Sequence, residues 1–157
     1  MFFKKKTTKV FEDYFTELQA DMVSICLEYV EDSADMIYLY CSFEPNVISA
    51  DVFYRINGVC VRKHNINNAP GNHPVYTTTV ENQSTVIQIL MDDLKAIKQL
   101  CDNYQKPMPT EIKVYYNVNN KSLDAKYKYD PVYSNDPVKT ADDVFDEWFL
   151  EEEQLDK

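Results

Sequence analysis

Four cysteines are the residues of this sequence best suited to nucleophilic or redox chemistry. They form no C-x-x-C pair, and each falls in a segment of periodic apolar residues: Cys26, Cys41, Cys60 and Cys101. In such segments a free cysteine behaves as a small hydrophobe, so we expect all four to be buried thiols. Reduced thiols are typical of the cytosol, which predicts a cytoplasmic protein.

The two histidines, His64 and His73, border or occupy a polar segment of the chain. Cys60 lies four residues before His64, and on a strand this spacing spans about 13 Å, which is too far for a shared metal ion. No local signature of a nucleophile with its base surrounds any cysteine or serine. We therefore expect surface histidines, no metal, no cofactor and no enzymatic activity.

Carboxylates are abundant and often adjacent, as at Asp92-Asp93, Asp142-Asp143 and 151–153. General acid–base or glycosidase chemistry needs two carboxylates that face each other across a cleft. These residues are instead neighbours on predicted helices and lie mostly outside the apolar stripe. We expect them to form solvated faces.

Acidic charge is concentrated at the C-terminal end of the chain. The formal net charge is -10, and between 142 and 157 eight acidic residues stand against Lys157 alone. This charge repels nucleic acid and anionic membranes and favours basic partners. Carboxylates at the C-terminal end of a helix oppose its dipole, so stability does not require them there. They indicate either a solubilising tail or a surface that meets a basic partner.

A β-hairpin between 110 and 129 organises the predicted fold. Apolar and polar residues alternate on both sides of a turn at 119–122, which is typical of strands that have one face on a core. Asn57-Gly58 predicts a second hairpin, in which Ile56 pairs with Val59. The segment 36–43 is apolar on both faces, which predicts a central strand.

Three amphipathic helices complete the pattern. Apolar residues recur every three or four positions from about 8 to 30, where Thr7 or Thr8 caps the helix, and from about 84 to 105. Thr140 caps a third helix that has Asp142 and Asp143 in its first turn. The polar segment 65–79 is a long loop with a short edge strand at 75–79.

The predicted order is αβββαββα, in which strands come as antiparallel hairpins. This indicates an α+β fold: a mostly antiparallel sheet of about five strands, two long helices and a C-terminal acidic helix, with the helices on one face. We expect a single domain over 1–157, frayed at 1–6 and 154–157. The start of the chain lacks the apolar core of a secretory signal, and no apolar run approaches the ~18 residues of a membrane span.

Five segments of the chain stand out as a set. They are IYLYCSF at 37–43 with its hairpin, DDLKAI at 92–97, PTEIKVYYNVNNKSLDAKYKYD at 109–130, YSNDP at 133–137 and DDVFDEWF at 142–149. Together they resemble the YezG-type immunity (antitoxin) proteins of bacterial polymorphic toxin systems. The resemblance implies a small cytosolic protein that binds and blocks a cognate protein toxin, commonly a nuclease, without catalysis of its own.

A nuclease holds phosphates in a basic groove, and a rigid acidic protein can occupy or cover that groove. The expected toxin-binding residues lie in the third helix and the loop before it: Tyr133, Asn135, Asp136, Asp142, Asp143, Asp146 and Glu147. Asp143 and Glu147 share one helix face, as do Asp142 and Asp146. The alternative is a generic protein–protein interaction or adaptor domain that uses its sheet and its 12 tyrosines.

Overall fold

The computed structural model describes residues 10–45 and 47–156, and the expected cap at Thr7 or Thr8 and the stretch 1–6 lie outside them. The α+β class and the order αβββαββα are confirmed. The elements are α1 (Phe11–Tyr29), β1 (Met36–Glu44), β2 (Val47–Ile56), β3 (Val59–Arg62), a 3-10 helix (Lys63–Asn68), α2 (Val80–Asn103), β4 (Glu111–Asn117), β5 (Ser122–Lys128) and α3 (Ala141–Glu153).

The five strands form one antiparallel sheet in the order β3-β2-β1-β4-β5. The central position predicted for β1 is confirmed, since Tyr40 lies opposite Asp51 of β2 on one side and Lys113 of β4 on the other. The Asn57-Gly58 hairpin is also confirmed. Both turn residues have positive φ, 49° and 86°, and Ile56 pairs with Val59, as a two-residue turn of this type requires.

The prediction that the helices share one face of the sheet is wrong. Helices α1 and α2 cover the face that carries Ile37, Leu39 and Val52. Helix α3 covers the opposite face, where Tyr38 and Phe53 point. Because β1 is apolar on both faces, a helical layer on one side alone would leave the aromatic face exposed to water. Helix α3 covers that face.

The loop at 65–79 contains no strand, so the edge strand predicted at 75–79 is also wrong. In this loop, side chains make the hydrogen bonds to the backbone that a neighbouring strand would otherwise make. Asn67 accepts the Tyr76 N–H (2.8 Å) and donates to the Tyr76 carbonyl (3.0 Å), while the Tyr76 hydroxyl donates to the Ser33 carbonyl (2.7 Å). Helix α2 begins at Val80 rather than near 84, because the Thr79 hydroxyl accepts the Asn82 N–H.

All four cysteines are buried and free, as predicted. Burial raises the pKa of the Cys41 and Cys60 thiols to about 12. A thiolate is the reactive form of cysteine. These side chains therefore act as small apolar residues of the core.

The C-terminal end of α3 is tied to the β2–β3 hairpin through Arg55. The guanidinium donates to the Glu152 carbonyl (3.1 Å) and pairs with the Asp156 carboxylate. Asp156, which lies within the stretch expected to fray, also accepts the Cys60 N–H (3.0 Å). The last acidic residues thus take part in fixing α3 on the sheet.

Trp148 holds α3 against the aromatic face of the sheet. Its side chain is 1% exposed, and its ring centroid lies 5.1 Å from that of Phe53 and 5.4 Å from that of Tyr115. We predict that Trp148→Ala lowers the free energy of unfolding by about 3 kcal/mol, as expected for the loss of a buried aromatic ring. The matched control is Leu150→Ala, since Leu150 lies two residues on and is 50% exposed. Equal denaturation midpoints for the two variants would contradict this role.

Two carboxyl groups meet between α1 and α2. Burial, followed by the neighbouring Asp21 of α1 and then Asp92, raises the pKa of Asp93 to about 7. Its Oδ2 atom is buried and accepts no hydrogen bond from any described residue. The folded protein therefore holds a proton here that the unfolded chain releases near pH 4. Between these two pH values stability falls as the pH rises.

We predict that Asp93→Asn abolishes the loss of stability that the parent shows as the pH rises from about 4 to 7. The variant should match the parent near pH 4.5 and exceed its unfolding free energy at pH 8 by about 1 kcal/mol, since water screens part of the effect at this half-buried site. Chemical denaturation at both pH values measures it. Glu81→Gln, an exposed residue of the same helix, serves as the control. A difference between parent and Asp93→Asn that is independent of pH would refute the assignment.

Candidate functional site

The outward side of α3 carries the carboxylates expected to bind a partner: Asp142, Asp143, Asp146 and Glu147. Thr140 caps the helix by accepting the Asp143 N–H (3.2 Å), and the Asp143 carboxylate accepts the Thr140 N–H in return (2.9 Å). The reciprocal cap starts the helix abruptly after the preceding loop. The inward side is apolar and packs on the sheet: Ala141, Val144, Phe145, Trp148 and Phe149. The intervening acidic positions are left in solvent.

Two of these carboxylates form ion pairs with other parts of the chain. Asp146 contacts Arg62 of β3 (2.7 Å), and Glu147 contacts Lys139 of the loop (3.0 Å). Asp146 and Glu147 are both more than half exposed, and ion pairs of this kind contribute little to stability. Both carboxylates can therefore exchange their cation for one on a partner at small cost. Asp142 has no such pair with any described residue and stays exposed.

A buried glutamate at the end of β1 holds the loop before α3 in place. Glu44, 2% exposed at the end of β1, accepts the backbone N–H groups of Val132 and Ser134, both at 3.0 Å. Burial works against its charge, but the Ser134 hydroxyl and the backbone N–H groups of residues 132–134 together outweigh burial and hold the pKa of Glu44 below its ordinary value. The loop therefore has a defined conformation before any partner binds.

The expected site residues divide into two groups. Tyr133 is 5% exposed and its hydroxyl shares a hydrogen bond with the Ser42 hydroxyl (2.8 Å), so it anchors the loop and does not reach the surface. Asp136 lies at the surface, and its carboxylate accepts the N–H groups of Val138 and Lys139. Asn135 is exposed on the same loop. Of the other expected residues, Asp136, Asp143, Asp146 and Glu147 surround one depression, and Asp142 lines a second depression with Asp146.

Two apolar side chains lie among these carboxylates and were not predicted. Val138 is 81% exposed and Leu150 is 50% exposed. They line a shallow depression of about 350 Å³ together with acidic residues and Lys139. Leu150 lies off the buried stripe of α3, which is the one sequence signal that could have marked it as a surface residue. We call this region the α3 outer face: Asp136, Val138, Asp142, Asp143, Asp146, Glu147 and Leu150.

A second, more polar depression of about 280 Å³ adjoins the α3 outer face on the side of β3. It is lined by Asp142 and Asp146, by Arg62 and Lys63, and by His64, which is exposed as predicted. Lys63 pairs with Asp51 (2.9 Å), so this depression holds both positive and negative side chains. Within residues 10–45 and 47–156, no three histidine, cysteine or acidic side chains are placed to hold a metal ion.

Comparison of the chain with models of protein families and with curated proteins finds no match. The resemblance to the YezG-type immunity proteins therefore stays a prediction. Among the described residues, no helix is long and apolar enough to cross a membrane.

We predict that Glu44→Gln loosens the loop without unfolding the sheet. An amide offers one acceptor oxygen for two backbone donors, and a hydrogen bond to a charged group contributes about 1.5–3 kcal/mol. Hydrogen exchange at the Val132 and Ser134 amides should accelerate, while exchange in β1 and β2 stays slow. Because the folded pKa of Glu44 is lowered, the difference from the parent should be full near pH 7 and shrink below about pH 4. Glu153→Gln, an exposed change in α3, is the control, and equal protection in both variants would refute the anchor.

Proposed function

We propose that this protein is an immunity protein (antitoxin) that binds a basic toxin domain, a nuclease being the class implied by the family resemblance, and blocks it without catalysis. The observation that supports the proposal best is the composition of the α3 outer face. Two exposed apolar side chains, Val138 and Leu150, line one depression with four carboxylates and Lys139, on a helix and a loop that contacts with β1 hold in place.

This arrangement fits what a tight protein interface requires. Binding energy is concentrated in a few apolar or aromatic anchors near the centre, while the polar rim excludes water and selects the partner. Leu150 and Val138 provide the centre, and Asp142, Asp146 and Glu147 provide an acidic rim. Because the loop is already ordered, little conformational entropy is lost on binding.

The charge of the α3 outer face also suits a partner that binds nucleic acid. A nuclease groove carries cations spaced to hold phosphates, and helix carboxylates can pair with the same cations. The exposed ion pairs of Asp146 and Glu147 release those carboxylates at little cost. An immunity protein bound in this way covers the groove, and substrate cannot enter.

The test is the rate of association with the cognate toxin domain, identified by co-purification from the native host and purified as an inactive variant. The triple variant Asp142→Asn, Asp146→Asn, Glu147→Gln removes three exposed charges and spares the cap residue Asp143. Association should slow about tenfold at low salt, and the dependence of the rate on salt should weaken, since these charges steer the encounter.

A matched control removes three charges elsewhere. Glu28, Glu31 and Asp32 are exposed at the far end of α1, so Glu28→Gln, Glu31→Gln, Asp32→Asn changes the net charge equally. The control should keep the parental rate and salt slope. Equal slowing in both triple variants would mean that only net charge matters. Slowing in the control alone would place the binding surface on α1.

One observation favours the alternative, an adaptor domain. A groove of about 340 Å³ runs between the start of α1, the α2–β4 connection and the end of β5, and aromatic and proline side chains line it. Tyr104 and Tyr129 are exposed at or beside this groove, and exposed tyrosines are enriched at protein interfaces. Changes confined to Tyr104 and Tyr129 distinguish the two functions, because an adaptor would lose its partner and the proposed immunity complex would not.

A further inference from the structure

Strand β5 forms one edge of the sheet, and no strand within residues 10–45 and 47–156 pairs with its outer side. It is the last strand in the order β3-β2-β1-β4-β5, and six of its seven residues are exposed. At the opposite edge, β3 has four residues, and its Cys60 N–H is occupied by Asp156. A long edge strand without proline or cover can pair with another strand.

Hydrogen bonds on both sides of β4 establish which backbone groups of β5 point outward. The Lys128 carbonyl accepts the Thr110 N–H (2.8 Å), so Lys128 faces β4. Val118 donates to the Asp35 carbonyl (3.0 Å), so the backbone N–H of Val118 points toward β1. The backbone of its neighbour Asn117 therefore points toward β5, where Asn117 pairs with Ser122. Orientation alternates along a strand. The N–H and C=O groups of the three odd-numbered residues, Leu123, Ala125 and Tyr127, therefore point away from the sheet.

From this edge we infer that the protein forms a two-fold symmetric dimer in which β5 pairs antiparallel with β5 of a second copy, centred on Ala125. In that register Ala125 lies opposite its symmetry mate, and Leu123 lies opposite Tyr127 of the second copy. Only outward-facing residues meet as hydrogen-bonded pairs, and each pair exchanges two backbone hydrogen bonds. All seven residues of β5 overlap, since Ser122 then faces Lys128. The inference does not depend on the function proposed above.

The side chains of β5 complement themselves in this register. Asp124 faces Lys126 of the second copy, and Lys126 faces its Asp124, so two cross-strand ion pairs form on the α3 side of the sheet. On the other side, Leu123, which is 42% exposed, packs against the exposed part of the Tyr127 ring. Opposite charges and aromatic–aliphatic contacts are the pairs that stabilise antiparallel strands. The interface is isologous, as a two-fold dimer requires.

Neighbouring registers lack this complementarity. The alternation of outward groups allows shifts of two residues only. A shift in one direction places Lys126 opposite Lys126 of the second copy. A shift in the other direction places Asp124 opposite Asp124. Like charges directly opposite each other destabilise a strand pair, so charge selects the register centred on Ala125.

Sedimentation of the full chain tests the dimer, with charge variants that make opposite predictions. The parent should be a dimer at about 100 µM and dissociate on dilution, because one strand pair with few flanking contacts buries less than a standard interface. Lys126→Asp alone and Asp124→Lys alone each place like charges opposite each other, so each should raise Kd at least about tenfold. Both residues are exposed, so each variant should fold, and circular dichroism serves as the check.

Restoring the charge pattern should restore the dimer in two independent ways. The double variant Asp124→Lys, Lys126→Asp keeps opposite charges face to face and should dimerise like the parent. An equimolar mixture of the two single variants should form a heterodimer, because the acidic edge of one then faces the basic edge of the other. A monomeric parent at about 100 µM would overturn the inference. A dimer whose Kd is unchanged in both single variants would also overturn it by placing the interface elsewhere.

Discussion

The architecture depends on the burial of β1 on both faces. Ile37 and Leu39 point to one side, and Tyr38 and Tyr40 point to the other. Each side needs its own apolar cover, since exposed aromatic surface of this size is costly in water. Helices α1 and α2 supply one cover and α3 supplies the other. The C-terminal acidic segment is consequently part of the core, and only its outward side is free to meet a partner.

This constraint also explains where the polar groups are buried. The β1 residues that reach beyond the edge of α3 are Ser42 and Glu44, and they bind Tyr133 and the backbone of the loop that leads into α3. Arg55 performs the equivalent role at the other end of the helix. Helix α3 is thus held at both ends by these polar contacts, and Trp148 holds its centre. A surface built on such a support needs little rearrangement to bind.

Local pattern was sufficient to predict much of the fold. The apolar residues on both faces of 36–43 predicted the central strand, and Asn57-Gly58 predicted the register of its hairpin, because both signals depend on residues close in sequence. The face that each helix covers could not be predicted from periodicity, since all three helices are amphipathic. At the candidate site the carboxylates were evident, but their pairing with Arg62 and the burial of Tyr133 depend on contacts across the sheet. The exposure of Val138 likewise follows only from the packed structure, whereas the position of Leu150 off the apolar stripe of α3 could have marked it as a surface residue.

The central claim is that the α3 outer face is the surface that meets a basic protein partner. Carboxyl footprinting by mass spectrometry tests it directly, on the free protein and on its complex with the partner recovered from the native host. We expect Asp142, Asp146 and Glu147 to lose reactivity in the complex, while Glu28 and Glu31 at the C-terminal end of α1 keep theirs. Protection of Glu28 and Glu31 with unchanged reactivity at Asp142 and Glu147 would contradict it.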